Sequence, residues 1–454
     1  MKKQITIVGG GLAGSLLSVY LAKRGFKVDV YERRPDMRKV KISAGRSINL
    51  ALSVRGIHAL KEVGVFDEIS KILIPMRGRM VHPLDGEINF QPYSRNPEEY
   101  INSVSRGDLN TIMMSAAEEF PDVQYHFNHR CTGMDLETGE ARFIDEQTGQ
   151  VVVAQTQAVI GTDGSASALR SELLKRSGFN YSQVYEDYGY KELSIPSGPE
   201  GNFLIEQHAL HIWPRKTYML IALPNMDGSF TVTLFFPMKG DVSFENLDTS
   251  EKVQQFFTAQ FPDALDLMPG LLDDYFGNPV GSLMTVKCSP WHHKGRVLLL
   301  GDAAHAIVPF FGQGMNCAFE DCSVFAGLVD KSGDDWEKIF AECGQERKEN
   351  TDAIADLAVE NFFEMRDHVS DPRYLLMKKI ERRLADAFPM RFIPKYEMVS
   401  FHRVPYAVAM ERGQIQHQIL WELTEGIASA DEVDWAKAQR LVPERVPPWT
   451  WGTL

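Results

Sequence analysis

The sequence has few cysteines, no excess of positive charge and no long apolar run. Five cysteines are scattered over 454 residues, and no Cys-x-x-Cys pair occurs, which argues against a disulfide framework and favours a reducing compartment. The net charge of −13 argues against a nucleic-acid partner, because such a partner requires a basic surface. No stretch approaches the ~18 uninterrupted apolar residues of a membrane-spanning helix. We therefore expect a cytoplasmic protein without a transmembrane segment.

Potential metal ligands are not grouped in the sequence. The adjacent His292 and His293 lack a partner at a useful spacing, and Cys317 and Cys322 suit packing within a helix. The sequence therefore predicts no metal site. A hydrophobic content of 44% and a charged content of 24% are typical of a globular protein, and the length suffices for two or three lobes.

A strand followed by a glycine-rich turn opens the chain. Residues 5–8 are rich in β-branched side chains, and Gly9, Gly11 and Gly14 follow at G-x-G-x-x-G spacing before a helical stretch. In this motif the first glycine permits a tight turn, the second lets backbone approach a pyrophosphate, and the third lets the helix pack on the strand. A second strand ends at Glu32, about twenty residues further on, where an acid binds a ribose. The pattern predicts a dinucleotide site without distinguishing FAD from NAD.

Two later strands end at turns of the same kind. Residues 158–160 lead to Asp163 and Gly164, and residues 297–300 lead to Gly301 and Asp302. Open α/β sheets bind ligands outside the carboxyl ends of their strands, so both turns are candidates for cofactor contact. The loop that follows, from Gly312 to Asn316, offers backbone N–H groups at a helix start, which would stabilise negative charge on a reduced cofactor ring.

The region between the second and third turns is rich in strand patterns. Residues 218–223 and 230–236 are β-rich, and the intervening Pro224 to Gly228 is a hairpin signal. This region is predicted to form a mixed, largely antiparallel sheet. From residue 334 the pattern becomes helical, and Asp334 with Glu337 resembles a capping box. Residues 427–454 are polar and interrupted by prolines, so we expect them to be peripheral.

Several polar residues allow two interpretations. Residues 45–53 lead into a probable helix near residues 54–63, which Arg46 and Arg55 flank, and these arginines either contact a cofactor or lie on the solvated surface. Arg79 follows Arg77 on a predicted ribbon, where it either captures a carboxylate or faces solvent at a sheet edge. Asn361 interrupts an apolar helical stripe, so its amide either joins a core network or meets a ligand.

The three turns and the β-rich insertion together resemble the single-component flavin-dependent aromatic hydroxylases. Four further stretches, residues 45–53, 103–106, 211–215 and 301–316, are similar to the members of this family that act on L-kynurenine. The likeness covers residues 4–410. It implies an α/β fold with a Rossmann-like FAD-binding domain, an inserted mixed β-sheet substrate domain and a C-terminal helical region.

The resemblance also implies how the domains are divided along the chain. The FAD-binding domain is expected in three segments, residues 1–75, 101–180 and 291–333. The substrate domain is expected as a β-ribbon at 76–100 and a sheet at 181–290, and the helical region as 334–454.

The activity implied by the resemblance is hydroxylation of L-kynurenine at ring position 3. FAD is the expected cofactor, NADPH and O2 the expected co-substrates, and a flavin C4a-hydroperoxide the expected oxygen donor. No catalytic side chain is expected, because the aromatic amine of the substrate activates its own ring. No second nucleotide motif is found, so we expect NADPH to bind transiently in a groove. The sequence leaves open whether the protein forms a homodimer. It also leaves two alternative functions, another flavin-dependent hydroxylase and a flavin-bearing interaction protein.

The resemblance assigns roles to individual residues. For the substrate it implies that Arg79 and Tyr93 hold the carboxylate, that Asn361 and Tyr396 close the amino-acid end, and that Pro309 and Phe310 form an apolar wall. For the cofactor it implies contacts from Leu12, Glu32, Arg34, Ala51, Arg106, Cys131, Asp302, Met315 and Asn316, in addition to the motif positions Gly9, Gly11, Gly14, Asp163 and Gly314. Ala51 and Cys131 are expected to contribute only backbone or packing.

Overall fold

A computed structural model describes residues 3–40, 49–85, 87–365 and 372–450 of the chain. Arg46, for which the sequence allows a cofactor contact, lies outside the described residues, as does Gly86 in the turn of the predicted ribbon. All statements below concern the described residues.

The first sheet has six strands and is parallel except at one edge. In sheet order its strands are β18 (His292–His293), β19 (Val297–Leu299), β12 (Ala158–Gly161), β1 (Gln4–Val8), β2 (Lys27–Glu32) and β8 (Val123–Phe127). Only β18 pairs antiparallel with its neighbour. The strands β1, β12 and β19 are buried along nearly their whole length, as expected for a parallel sheet that is covered on both faces.

Strand order brings the three glycine-rich turns together. Because β1 lies beside β12 and β12 lies beside β19, the carboxyl ends of these strands are neighbours at one end of the sheet. The register pairs Val8 with Gly161 and Gly161 with Leu299, so the three strands end at the same level.

Helices and two small sheets complete this lobe. The helices are α1 (Leu12–Ala22), α2 (Val54–Val63), α3 (Phe66–Ser70), α4 (Arg106–Glu118), α5 (Ala168–Leu173), α9 (Asp302–His305) and α10 (Gly314–Ser332). One small sheet has the order β3 (Asn49–Leu52), β7 (Ile101–Ser105), β4 (Ile74–Met76), and the other has the order β11 (Val151–Gln155), β10 (Glu140–Asp145), β9 (His129–Met134).

The second lobe is built on a seven-stranded sheet. In sheet order its strands are β17 (Val280–Ser289), β13 (Asn180–Ile195), β16 (Phe230–Pro237), β15 (Tyr218–Pro224), β14 (Ala209–Arg215), β5 (Gly78–Val81) and β6 (Asn89–Pro92). Only β14 and β5 pair in parallel, which confirms the prediction of a mixed, largely antiparallel sheet. The helices α6 (Ser250–Gln260), α7 (Pro262–Leu265) and α8 (Leu271–Gly277) share an apolar core with one face of this sheet.

The rest of the described chain is helical. It contains α11 (Trp336–Phe363), α12 (Pro372–Ala387), α13 (Lys395–Ser400), α14 (Tyr406–Leu423) and α15 (Trp435–Arg445), and short 3-10 helices occur at Pro309–Phe311 and Ala430–Glu432. The predicted capping box is wrong by one residue. Asp335 caps α11 by accepting the backbone N–H of Lys338, whereas Asp334 pairs with Lys3.

The C-terminal segment is not peripheral, contrary to the sequence-based expectation. Leu441 and Val442 on α15 are buried in an apolar cluster with residues of α12 and α14. Trp449 is also buried, and its ring lies 5.2 Å from the ring of His402. The apolar positions of α15 are spaced for one helical face, so periodicity was the signal that the prolines and polar residues obscured.

Candidate active site

The glycine-rich turn has the geometry that its motif requires. A Cβ atom at Gly14 would lie 2.0 Å from the carbonyl oxygen of Gly9, and one at Gly9 would lie 2.5 Å from the carbonyl oxygen of Thr162. Both positions are therefore closed to larger residues. A Cβ at Gly11 would meet no atom within 4 Å, so this position faces open space at the start of α1. The cradle fits a pyrophosphate, which would approach Gly11 and the backbone N–H groups of Leu12 and its neighbours.

Glu32 stands at the end of β2 and holds the first turn. One carboxylate oxygen accepts the backbone N–H of Gly10 at 2.9 Å. The other accepts the backbone N–H of Arg34 at 2.9 Å and its Nε at 3.1 Å. Glu32 is buried, whereas Arg34 is exposed, so the guanidinium group of Arg34 is accessible to a ligand that approaches Glu32.

The second turn is organised around Asp163. Its Oδ2 accepts the backbone N–H of Ala168, the first residue of α5, at 2.8 Å. Its Oδ1 is buried and has no hydrogen-bond partner of good geometry among the described residues. Burial raises the pKa of this carboxyl group. Cys131 on β9 is half-buried, and burial raises the pKa of its thiol to about 12, so it is a packing residue rather than a thiolate. Arg106 begins α4 and is exposed.

The third turn contributes Asp302, which is exposed and begins α9. Nearby, Gly314 and Met315 form the first turn of α10 and are half-buried, so backbone N–H groups are available there. Asn316 uses its whole amide internally. Its Nδ2 donates to the carbonyls of Ala51 and Gly312, and its Oδ1 accepts the backbone N–H of Ser53. Its side chain thus fixes Ala51 against α10 and is not itself available to a cofactor.

Arg55 does not contact the cofactor turns. Its guanidinium group is fully buried, pairs with Glu320 at 2.6 Å and donates to the carbonyls of Val399, His402 and Val404. It therefore ties α2 to the loop that follows α13. The sequence left open a surface or cofactor role for Arg55, and the structure supports neither.

One group of potential metal ligands occurs among the described residues. Ligand atoms of His305, Cys317 and Asp321 lie within 4.8 Å of one another. However, Arg347 donates to Asp321 at 2.7 Å and lies 3.5 Å from the sulfur of Cys317. A guanidinium group thus already supplies the positive charge, and we assign no metal to this group.

We take the surroundings of Arg79 as the candidate substrate cavity, and the side chains around it come from both lobes and the helical region. Arg79 is on β5, and its Cζ lies 5.6 Å from the ring centre of Tyr93 and 5.2 Å from that of Tyr396. The Nε of Arg79 and the hydroxyl of Tyr93 are buried and have no hydrogen-bond partner of good geometry among the described residues. Buried donors without partners are rare, so these two groups point to a ligand that accepts their hydrogen bonds.

Arg77 lies two residues earlier and behaves differently. It is exposed, donates to the carbonyl of Pro97 at 2.8 Å and packs over Tyr100. Of the two arginines on the predicted ribbon, only Arg79 belongs to the cavity.

Aromatic rings line the cavity beside Arg79. Tyr93 stacks on Tyr396 with ring centres 5.0 Å apart, and Tyr396 stacks on Phe311 at 5.4 Å. Ala51, on the cofactor side, packs in the same apolar cluster as both tyrosines. Ala51 also lies against Gly312, so the surroundings of Arg79 and the loop after the third turn are neighbours.

A further part of these surroundings is formed by the 3-10 helix and the end of α11. Phe310 is buried and stacks on Phe362 at 4.1 Å, whereas Pro309 is exposed. Asn361 is buried, and its Nδ2 donates to the carbonyl of Phe310 at 2.7 Å. Asn361 therefore fixes this wall with its nitrogen. Its oxygen is the atom that a ligand can use.

Glu364 is a candidate residue that sequence reasoning missed. It follows Asn361 by three residues, so the two side chains share a helix face. Tyr374 donates to its carboxylate, and Lys378 lies 3.6 Å from it. Burial opposes ionisation, but Lys378, Lys395, Tyr374 and Arg79 together lower the pKa of Glu364 to about 2. The signal in the sequence was an acid one helical turn beyond Asn361 on an otherwise apolar stripe.

No helix in the described ranges is both long and apolar enough to cross a bilayer. This result agrees with the absence of an apolar run in the sequence.

Comparison with known proteins gives consistent results for sequence and fold. Residues 2–328 match the FAD binding domain family. Kynurenine 3-monooxygenases from Myxococcus xanthus and Dictyostelium discoideum are 52% and 48% identical, over 99% and 97% of this chain and 96% and 98% of theirs. Among solved structures, a 2-methyl-3-hydroxypyridine-5-carboxylic acid oxygenase has a TM-score of 0.65 at 18% identity, covering 83% of this chain and 95% of its own.

A tetracycline destructase, Tet(51), has a TM-score of 0.61 at 20% identity and covers 88% of this chain and 97% of its own. These structural neighbours establish the fold, an α/β lobe with an inserted sheet, as the sequence predicted. The sequence relatives also establish the family, because their similarity extends over nearly the whole length of this chain. The chain belongs to the kynurenine 3-monooxygenase family and to the wider family that carries the FAD binding domain.

Proposed function

We propose that this protein hydroxylates L-kynurenine at ring position 3. The overall reaction converts L-kynurenine, NADPH, a proton and O2 into 3-hydroxykynurenine, NADP+ and water. The observation that carries the proposal is Arg79, a half-buried arginine beside Tyr93 in the candidate cavity. The Nε of Arg79 and the hydroxyl of Tyr93 are buried and have no hydrogen-bond partner of good geometry among the described residues. This pair suits the carboxylate of an amino-acid substrate, because charge-assisted hydrogen bonds to a carboxylate are strong and directional.

The cofactor turns are assigned to FAD. The open space at Gly11 and the start of α1 take the pyrophosphate, and Glu32 with Arg34 takes the adenosine ribose. Asp302 takes the ribityl chain, and the backbone N–H groups at Gly314 and Met315 face the ring. Bound FAD supplies the redox chemistry that activates O2, with NADPH as the reductant.

The zwitterionic end of the substrate requires a partner for each charge. Arg79 and Tyr93 hold the carboxylate, and Tyr396 packs beside them. For the α-ammonium group we assign the oxygen of Asn361, because its nitrogen is already committed to Phe310, together with the carboxylate of Glu364. In this arrangement the positive charge of Arg79 faces the carboxylate of the substrate, and the negative charge of Glu364 faces its ammonium group.

The remaining task of the protein is to orient the ring and exclude water. The aromatic amine of the substrate donates electron density to the neighbouring ring carbon, so no side chain acts as a base. Phe310, Phe311 and Phe362 give the cavity an apolar wall, which keeps water away from the reacting oxygen species. Asn361 holds that wall in place through Phe310.

The cellular setting and the assembly are also proposals. The five cysteines are all free, which supports a reducing compartment, and we expect the protein in the cytoplasm. NADPH is expected in a surface groove rather than in a domain of its own. The assembly stays open between a monomer and a homodimer, and light scattering on the purified protein distinguishes the two.

The decisive experiment is a spectrum of the purified protein followed by an NADPH oxidation assay. We expect a flavin absorption band, NADPH oxidation stimulated by L-kynurenine, and 3-hydroxykynurenine by mass spectrometry. The matched control is the analogue that lacks the α-amino group, which should stimulate oxidation only at much higher concentration. A flavoprotein that oxidises NADPH equally with and without L-kynurenine would contradict the proposal.

A further inference from the structure

A carboxylate buried beneath the third cofactor turn has no role in the chemistry described so far. Asp321 lies on α10 and is fully buried. Its Oδ2 accepts the backbone N–H of Gly301 at 3.2 Å and the Nε2 of His305 at 2.5 Å, and its Oδ1 accepts the Nε of Arg347 at 2.7 Å. A buried carboxylate is costly unless it is paired and hydrogen-bonded, and here both oxygens are fully used.

The charge of Asp321 is balanced by a buried chain of ion pairs. Arg347, on α11, also pairs with Glu320 at 2.7 Å, and Glu320 pairs with Arg55 at 2.6 Å. Two guanidinium groups thus neutralise two carboxylates. Although burial raises it, the pKa of Asp321 is lowered by His305 and Arg347, so the carboxylate stays ionised. The chain links α10 and α11 with α2 below the cofactor turns.

The third turn rests directly on α10. Gly301 has a φ of +58°, and a Cβ atom there would lie 3.2 Å from the Cβ of Ala318 on α10. The N–H of Gly301 points to Asp321 on α10, and the next residue, Asp302, is exposed. The orientation of Asp302 therefore depends on contacts behind the turn.

The geometry points to Asp321 as a positioning residue for the cofactor. Its carboxylate, fixed by Arg347, holds the N–H of Gly301 and the ring of His305, and thereby sets the position in which Asp302 meets FAD. Asp321 itself does not touch the cofactor. The inference rests on FAD binding at the three turns and does not depend on which substrate is hydroxylated.

The first test compares two buried aspartates that each pair with a histidine. Asp321→Asn replaces one acceptor oxygen by an NH2 group that faces the donors of Arg347 or His305. We expect the Kd for FAD to rise at least tenfold, measured by quenching of FAD fluorescence on titration of the apoprotein. Asp29→Asn is the control, because Asp29 is buried on β2, and its side chain contacts His126, Gln4 and Lys27 but no residue of the three cofactor turns among the described residues. It should lower the unfolding temperature similarly but change the Kd less than twofold.

The second test separates positioning from packing at His305. His305→Gln keeps an N–H donor at similar reach, whereas His305→Leu removes it. We expect FAD binding within threefold of wild type for the glutamine variant and about tenfold weaker binding for the leucine variant. This pair decides the question if Asp321→Asn does not yield folded protein.

Two results would overturn the inference. One is an equal loss of FAD affinity in Asp29→Asn and Asp321→Asn at equal loss of unfolding temperature. The other is equal FAD affinity in the two His305 variants. Wild-type protein that binds FAD yet does not hydroxylate L-kynurenine would defeat the proposed substrate and leave the positioning role of Asp321 intact.

Discussion

The cofactor side and the substrate side of the candidate active site are built from different chemical groups of the chain. The cofactor side consists mainly of backbone, shaped by glycines at the ends of three adjacent parallel strands. The substrate side consists of side chains, with Arg79, Tyr93, Tyr396, Asn361 and Glu364 arriving from two strands and two helices or their ends.

This difference explains how each half obtains its specificity. A pyrophosphate carries repeating oxygens that any correctly placed N–H group can bind, so the cofactor side needs space and backbone direction. An amino acid carries two opposite charges at a fixed separation, so the substrate side needs two charged side chains at matching positions. Substitutions should therefore act through backbone fit on one side and through lost polar contacts on the other.

The largest effect is expected from glycine replacement on the cofactor side. Gly14→Ala places a Cβ atom 2.0 Å from a backbone oxygen, so we expect about 3 kcal/mol of destabilisation and loss of soluble FAD-containing protein. Gly11→Ala meets open space, so its apoprotein should unfold within about 0.5 kcal/mol of wild type. FAD binding to that variant should still weaken at least tenfold, because the methyl group occupies the phosphate position. Thermal unfolding with and without FAD measures both effects, and similar apoprotein stability of the two variants would contradict the steric argument.

On the substrate side, the largest effect is expected at Arg79. Arg79→Ala removes a charge-assisted hydrogen bond of ~1.5–3 kcal/mol, so the KM for L-kynurenine should rise at least tenfold while FAD content stays normal. Arg77→Ala is the matched control, since the side chain of Arg77 is exposed and contacts the carbonyl of Pro97 and the face of Tyr100, while its backbone hydrogen bonds to His208 and Tyr93 survive the substitution. Its KM should change less than twofold. An unchanged KM in Arg79→Ala would remove the carboxylate role.

A smaller effect is expected at Glu364. Glu364→Gln removes the negative charge near the α-ammonium group but keeps an acceptor oxygen, so the KM for L-kynurenine should rise about fivefold, or ~1 kcal/mol. The KM for the analogue without the α-amino group should not change. Equal effects on both compounds would show that Glu364 supports the fold of the cavity instead of recognising the ammonium group.

The smallest effect concerns pH and Glu397, the residue after Tyr396. Burial, and then the charge of Glu99, raises the pKa of Glu397 from 4.5 to about 7. The folded state therefore holds a proton that the unfolded state releases, and this contribution to stability is lost as pH rises from 4.5 through 7. Glu397→Gln should raise the unfolding temperature by about 1–3 °C at pH 8 and have little effect at pH 4.5.

The control for this prediction is Glu411→Gln, which replaces an exposed carboxylate on α14. It should leave the pH dependence of the unfolding temperature unchanged. The assignment to Glu397 would be contradicted if the unfolding temperature changed by the same amount between pH 5 and 7 in wild type, Glu397→Gln and Glu411→Gln.

The two halves were also unequal in how far they could be read from the sequence. Gly9, Gly11 and Gly14 with Glu32 form a local pattern, and the two later strands also end at glycine-containing turns. The meeting of these three turns at one end of the sheet was therefore predictable from connectivity. The residue assignments themselves, and the segment boundaries between domains, stay predictions. The substrate assignments gain support from the contacts of Arg79 with Tyr93 and Tyr396.

Several features had no adequate local signal. The pairing of Asn316 with Ala51 joins residues 265 positions apart, and Arg55 reaches carbonyls more than 340 positions away. Glu364 acquires its low pKa from Lys378 and Tyr374, which lie on the next helix. Spacing along the chain carries no information about such distances, because they depend on how helices and sheets pack.

The sequence by itself determined the nucleotide turns, the strand-rich insertion and the helical end, because each depends on backbone conformation and on periodicity within a few residues. Only the tertiary structure decided which of two neighbouring arginines enters the cavity, which atom of Asn361 is left for a ligand, and that α15 belongs to the core. The physical reason is that burial and pairing of polar groups are properties of the packed interior, where desolvation makes every unpaired donor or charge costly.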